Sequence, residues 1–133
     1  MNPVTRRLLD DVDDPELAAF ALAWDGLEEC LVQIYRMGEV SPELAARHAN
    51  GRASVEAGLG TWEPALQPHW TATRINGAPP SKSPFLAVVA VRRPDAVIGD
   101  HDLIRTLPAA REALNHLLLE RAVRPDDVPD GPS

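Results

Sequence analysis

Two groups of residues in this chain have the types and spacing that metal coordination uses. Asp100, His101 and Asp102 are adjacent, and Glu112, His116 and Glu120 recur at intervals of four, along one face of a helix. Carboxylates and imidazoles are ordinary ligands of divalent ions. Adjacent side chains, however, leave the backbone in different directions, and a Glu-His-Glu row is equally a solvated helix face. No spacing matches a zinc motif, a phosphate-binding glycine loop or a Gly-x-Ser-x-Gly turn. The expectation is no metal and no cofactor. The sole cysteine, Cys30, follows Glu28 and Glu29, which have the wrong sign to favour a thiolate, and it reads as a half-buried apolar residue.

Arg111 is followed, after four intervening residues, by His116. The pair resembles the Arg-x4-to-6-His signature of the HEPN ribonuclease superfamily. That resemblance implies a small helical domain that dimerises and sets the Arg and His of each subunit in a shared cleft. It also implies a metal-independent reaction in which Arg111 and His116 assist attack of a ribose 2′-hydroxyl on the adjacent phosphate. Glu112 stands where that family tends to place a small polar residue or an aspartate, and no aromatic follows His116.

A third set of residues sits in a segment rich in Trp and Pro. Trp62, His69, Trp70, Arg74 and Lys82 place aromatics beside cations, a combination that can hold a planar or anionic ligand. The competing reading makes both tryptophans a lid over the core, since the chain has only six aromatic residues and needs them for burial.

The elements that must position these residues begin with the stretch from Asp14 to Met37. Leu17, Phe20, Trp24, Leu27, Leu31 and Ile34 fall at alternating spacings of three and four, the signature of one helix face. Asp14 is a natural N-cap, Pro15 suits the first helical position, and Gly38 can adopt the left-handed conformation that ends a helix. Asp25, Glu29, Gln33 and Arg36 fall on the opposite, solvated side. Ser41 and Pro42 open a second helix after a link short enough to predict an antiparallel hairpin. On it Ala45, Ala49, Ala53 and Ala57 recur every four residues, a row of small side chains that would let another backbone come close.

From Gly60 to Pro84 the composition predicts irregular structure, with a strand near residues 70–75. The run from Phe85 to Val91, rich in valine, reads as a buried strand, although Ser83 and Pro84 imitate the helix start at Ser41 and Pro42. A last helix is expected from about Leu107 or Pro108 to Val123. Leu119 and Val123 lie off its main apolar stripe, surplus hydrophobic surface that suggests a partner.

A net charge of −7 argues against nonspecific binding to nucleic acid or an anionic membrane, which rests on clustered cations. The lone cysteine and the lack of a long apolar run predict a cytoplasmic protein. The expected architecture is α+β: an N-terminal antiparallel helical hairpin, a small antiparallel sheet and a C-terminal helix, with a mainly α fold as the alternative. Residues 1–13 read as a partly ordered leader, 14–123 as one globular domain and 124–133 as a disordered acidic, Pro-rich tail. The function this predicts is a small acidic non-enzymatic interaction module that binds another protein or itself through helical apolar faces, with a homodimer expected. Its contact residues would be Leu119, Val123, Ala45, Ala49 and Ala53. A dimeric ribonuclease and a small-ligand domain built on the Trp-Pro segment are the alternatives.

Overall fold

Five helices and one 3-10 turn account for the regular structure of the computed structural model, which describes residues 2–74, 78 and 80–122. The helices are α1 (Pro3–Leu9), α2 (Pro15–Met37), α3 (Pro42–Trp70), α4 (Pro84–Val89) and α5 (His101–Glu120), with the turn at Pro94–Val97. The expected α+β architecture is overturned. Among the described residues there is no strand, and the mainly α alternative fits. An isolated antiparallel bridge joins Val12 to Ala122.

The hairpin of α2 and α3 forms as its caps predict. The Asp14 carboxylate accepts from the backbone N–H groups of Glu16 and Leu17, and the Ser41 hydroxyl accepts from Leu44. Gly38 ends α2 at φ 69°, the left-handed conformation. The two helices are antiparallel, because their contacts run in opposite senses. The Cys30 thiol donates to the Leu44 carbonyl, Leu27 packs beside Gly51, and Phe20 beside Gly58. A β-carbon on Gly58 would lie 2.5 Å from the Phe20 ring, so glycine is what lets the helices close here.

The irregular segment expected from Gly60 onward is instead the second half of α3. Val55, Leu59, Trp62, Leu66 and Trp70 are all buried and continue the spacing of three and four. Pro64 and Pro68 are tolerated because both lie on the exposed side of the helix. Each removes a bond to the carbonyl four residues earlier, at Gly60 and Pro64, and those positions are also exposed, so water can satisfy them. The strand expected over residues 70–75 is replaced by the helix end at Trp70 and turns at Thr71 to Thr73; Ile75 lies outside the described residues.

The strand expected from Phe85 to Val91 is likewise corrected. Residues 84–89 are helical, with the Ser83 hydroxyl capping the Leu86 N–H. Phe85, Val88 and Val89 are buried while Leu86 and Ala87 are exposed, a helical pattern rather than an alternation of two. Phe85 enters the hairpin, its ring centroid 4.9 Å from that of Trp24 and 6.4 Å from that of Phe20.

Helix α5 starts earlier than expected. The Asp100 carboxylate caps it by accepting from Leu103, and Pro108 lies within it on the exposed side. Leu103, Leu107, Ala110, Leu114 and Leu117 form its buried stripe against the hairpin. Helix α1 packs on α5: Thr5 is buried, and its hydroxyl donates to Asn115 Oδ1 at 2.8 Å. The expected tail, residues 124–133, lies outside the described residues.

Candidate functional site

The outer face of α5 carries Arg111, His116 and Leu119 from among the residues that sequence reasoning set aside for function. Pro108, Glu112, Asn115 and Leu119 follow one another at spacings of four, three and four, opposite the buried stripe. With Val4 and Leu8 of α1 they border a groove of about 410 Å³ that Arg111 and His116 also line. Asn2 positions α1 by capping it, its side-chain oxygen accepting from the N–H groups of Val4 and Thr5. The Thr5–Asn115 bond then ties α1 to α5. Val4 and Leu119 remain 58% and 45% exposed, two apolar side chains from opposite ends of the chain brought to one groove.

Arg111 and His116 line the same groove yet engage different partners. Five residues advance a helix by about 500°, leaving the two side chains roughly 140° apart around α5. Arg111 Nη1 donates to Glu28 Oε2 at 2.6 Å, on the side of α2. His116 lies instead beside His69, ring centroids 6.0 Å apart and nearly perpendicular, with Glu112 Oε1 4.0 Å from its Nε2. His69 Nε2 is in turn 3.4 Å from Glu120 Oε2. Thus His69 and His116, drawn from two separate candidate sets, are neighbours.

The remaining members of the Trp-Pro set do not form one pocket around them. Trp62 and Trp70 are buried on the core face of α3. Trp62 carries the Arg121 guanidinium over its ring at 5.9 Å, and Trp70 Nε1 donates to Glu63 Oε1 at 2.9 Å. Arg74 and Lys82 are exposed. On the alanine row, Ala45 is half-buried and Ala49 and Ala53 are exposed, and none of the three borders the α1/α5 groove. Val123 lies outside the described residues.

The metal-ligand candidates have partners of their own. Asp100 caps α5, His101 Nδ1 contacts the Tyr35 hydroxyl, and Asp102 pairs with Arg105. Among the described residues no three of His, Cys, Asp and Glu converge to hold an ion. Also among them, no helix is long and apolar enough to cross a membrane. Cys30 is fully buried rather than half-buried, and burial pushes its thiol up.

Sequence reasoning missed a second cleft, on the other side of Arg111. It measures about 610 Å³, and Asn2, Asp25, Glu28, Gln33, Arg36 and Arg111 are among its lining residues. Asp25, expected in solvent, is buried and accepts from the Asn2 backbone N–H at 3.1 Å. Glu28 is buried, and that burial raises its pKa; the Arg111 charge and a hydrogen bond from Trp24 Nε1 work the other way without cancelling it. The available signal was positional: Glu28 lies four residues after Trp24, a core residue whose indole needs an acceptor.

Compared with protein-family models, with curated proteins and with solved structures, the chain finds no match in any of the three. Function therefore rests on the geometry alone.

Proposed function

We propose that this protein is a small, non-enzymatic, cytoplasmic interaction module that associates with a second copy of itself through the α1/α5 face. The observation that carries this reading is the exposure of Val4 and Leu119 on one groove. Lone exposed apolar residues are common, but two of them converging from helices more than a hundred residues apart make a contiguous surface that water covers at a cost. A module that meets its own kind buries the same patch on both partners. Engagement of Arg111 by Glu28 favours a structural role for that arginine over one on a substrate.

The test is the solution mass by light scattering after gel filtration, across a tenfold range of concentration. A dimer is expected, and Val4→Lys with Leu119→Lys should return the protein to a monomer with unchanged helicity. A wild-type monomer throughout that range would overturn the reading.

A second reading, a metal-independent ribonuclease, is favoured by one observation: Arg111 and His116 line the same groove. It requires RNA cleavage in the presence of a chelator that His116→Ala abolishes without unfolding the protein. Retention of any cleavage by that variant would remove it.

A further inference from the structure

We infer that the cleft of about 610 Å³ beside Arg111 binds a small organic carboxylate with an apolar body, held by Arg36 and by the exposed edge of Arg111. This goes beyond the self-association reading and does not depend on it, because the cleft lies on the other side of Arg111 from the α1/α5 groove.

The cleft follows one face of α2, on which Asp25, Glu28, Val32 and Arg36 recur at spacings of three, four and four. Its volume is that of an ordinary small-molecule site. Every acid that lines it is engaged. Asp25 accepts from the Asn2 backbone, Glu28 accepts from both Arg111 and Trp24, and Glu29 also has a partner. The donors are not used up in the same way. Arg36 is exposed and makes no hydrogen bond or ion pair among the described residues. Arg111 spends one N–H, at Nη1, on Glu28, and about a third of its side chain stays exposed. A guanidinium has five donors and no acceptor, so what the cleft leaves open is donor chemistry carrying positive charge. That chemistry selects an anion, and a planar carboxylate matches the fork of a guanidinium.

The need for an apolar body comes from the neighbours of Arg36. Val32 is half-buried, and Met37 is 52% exposed, a large apolar side chain at the edge of the cleft. Four residues advance a helix by about 6 Å, so a carboxylate on Arg36 leaves a short acyl chain lying towards Val32. Covering Val32 and Met37 removes apolar surface from water, a gain that inorganic phosphate cannot make. The chain's net −7 opposes an anion at a distance, but at physiological salt that opposition is screened beyond about 8 Å.

The experiment is a titration of the full-length protein with hexanoate, followed through backbone amide and arginine side-chain N–H signals in nitrogen-edited NMR spectra. Hexylammonium and inorganic phosphate are the comparison probes. Hexanoate should produce saturable shifts at Val32, Arg36 and Met37 with a Kd on the order of millimolar, and the other two should bind at least about tenfold more weakly. Arg36→Gln alters an exposed position and should weaken hexanoate by about tenfold. Glu28→Gln/Arg111→Met, which removes the second guanidinium without stranding a buried charge, should also weaken it, with circular dichroism confirming the helicity of both variants. No saturable shift at the cleft, hexylammonium or phosphate bound as tightly as hexanoate, or an affinity unchanged in either variant overturns the assignment. None of these readings requires a dimer, so their failure leaves self-association standing, and a monomeric wild type leaves this site standing.

Discussion

Arg111 on α5 donates to Glu28 on α2 across 2.6 Å, and the carboxylate that receives it is almost sealed from water while about a third of the arginine side chain is not. The pair therefore has a dry end and a wet end. Glu28 Oε1 also accepts from Trp24 Nε1 at 3.2 Å, so one carboxylate links the hairpin core to the last helix. Breaking a fully buried pair from one side costs roughly 3–5 kcal/mol because a buried charge is left without a partner. Here water at the arginine end screens the interaction, and Arg111→Met should cost about 2 kcal/mol. Glu28→Gln/Arg111→Met should be more stable than Arg111→Met alone, because the amide has no charge to strand. Urea unfolding of the wild type, the two single variants Arg111→Met and Glu28→Gln, and the double variant measures the coupling.

The pH dependence of stability should carry two opposed contributions. Burial holds the Glu28 pKa above its ordinary 4.5, so the folded chain keeps that proton to higher pH than the unfolded chain does. Its contribution is fully present below 4.5 and is lost as pH rises through the raised value. His48 is the reverse case: burial, and then the Arg52 charge, hold its pKa below 6.5, against a hydrogen bond with the Val91 backbone. Its contribution is present above 6.5 and is lost as pH falls. Unfolding free energies measured from pH 4 to 8 should lose, in Glu28→Gln, the decline that sets in as pH rises above 4.5. They should lose, in His48→Asn, part of the decline that sets in as pH falls below 6.5, since asparagine keeps an amide donor while removing the titrating ring.

Glycines on α3 offer a test of the packing itself. Replacing an exposed helical glycine by alanine normally gains up to about 1 kcal/mol. Gly60 has open space where a β-carbon would go, so Gly60→Ala should gain most of that. At Gly58 the new atom would meet the Phe20 ring at 2.5 Å, and that ring is buried with its centroid 6.4 Å from that of Phe85. Gly58→Ala should instead be destabilising, by about 1–3 kcal/mol. Gly51 is intermediate: a β-carbon there would lie 3.2 Å from Leu27 Cβ, and the gain and the crowding should nearly offset. Thermal unfolding of the three variants should rank Gly60→Ala above Gly51→Ala and Gly51→Ala above Gly58→Ala.

What could be read from the sequence was whatever local chemistry decides. Asp14 with Pro15 and Ser41 with Pro42 name their helix starts because cap and first turn are adjacent in the chain. The same logic applied at Ser83 with Pro84, yet three valines suggested a strand; burial of Phe85, Val88 and Val89 on one side of a short helix settled it the other way. Pro64, Pro68 and Pro108 were misleading for one reason. The carbonyls that Pro64 and Pro68 free, at Gly60 and Pro64, lie at exposed positions where water can satisfy them, and Pro108 itself lies on the exposed side of α5, tertiary facts that spacing does not carry. Of the site, His116 and Leu119 could be found from the sequence, but their neighbours His69 and Val4 lie on other helices. Glu28 was passed over because only the approach of Arg111, from far along the chain, makes it more than an acid on α2.

The Thr5–Asn115 bond predicts how far the groove depends on α1. Thr5 is almost completely buried, and its hydroxyl donates to Asn115 Oδ1, so Thr5→Val keeps the shape but strands an acceptor on α5. A loss of about 1 kcal/mol is expected, and Thr5→Val/Asn115→Leu should recover part of it, since removing both polar groups costs less than orphaning one. Helix α1 has seven residues and few other ties, among them the Asn2–Asp25 bond and the Val12–Ala122 bridge. Hydrogen exchange in Thr5→Val should therefore quicken at the α1 amides before it quickens in the α2–α3 hairpin. If association uses the α1/α5 face, the same variant should weaken the dimer, because Val4 and Leu8 hold their places only while α1 is docked.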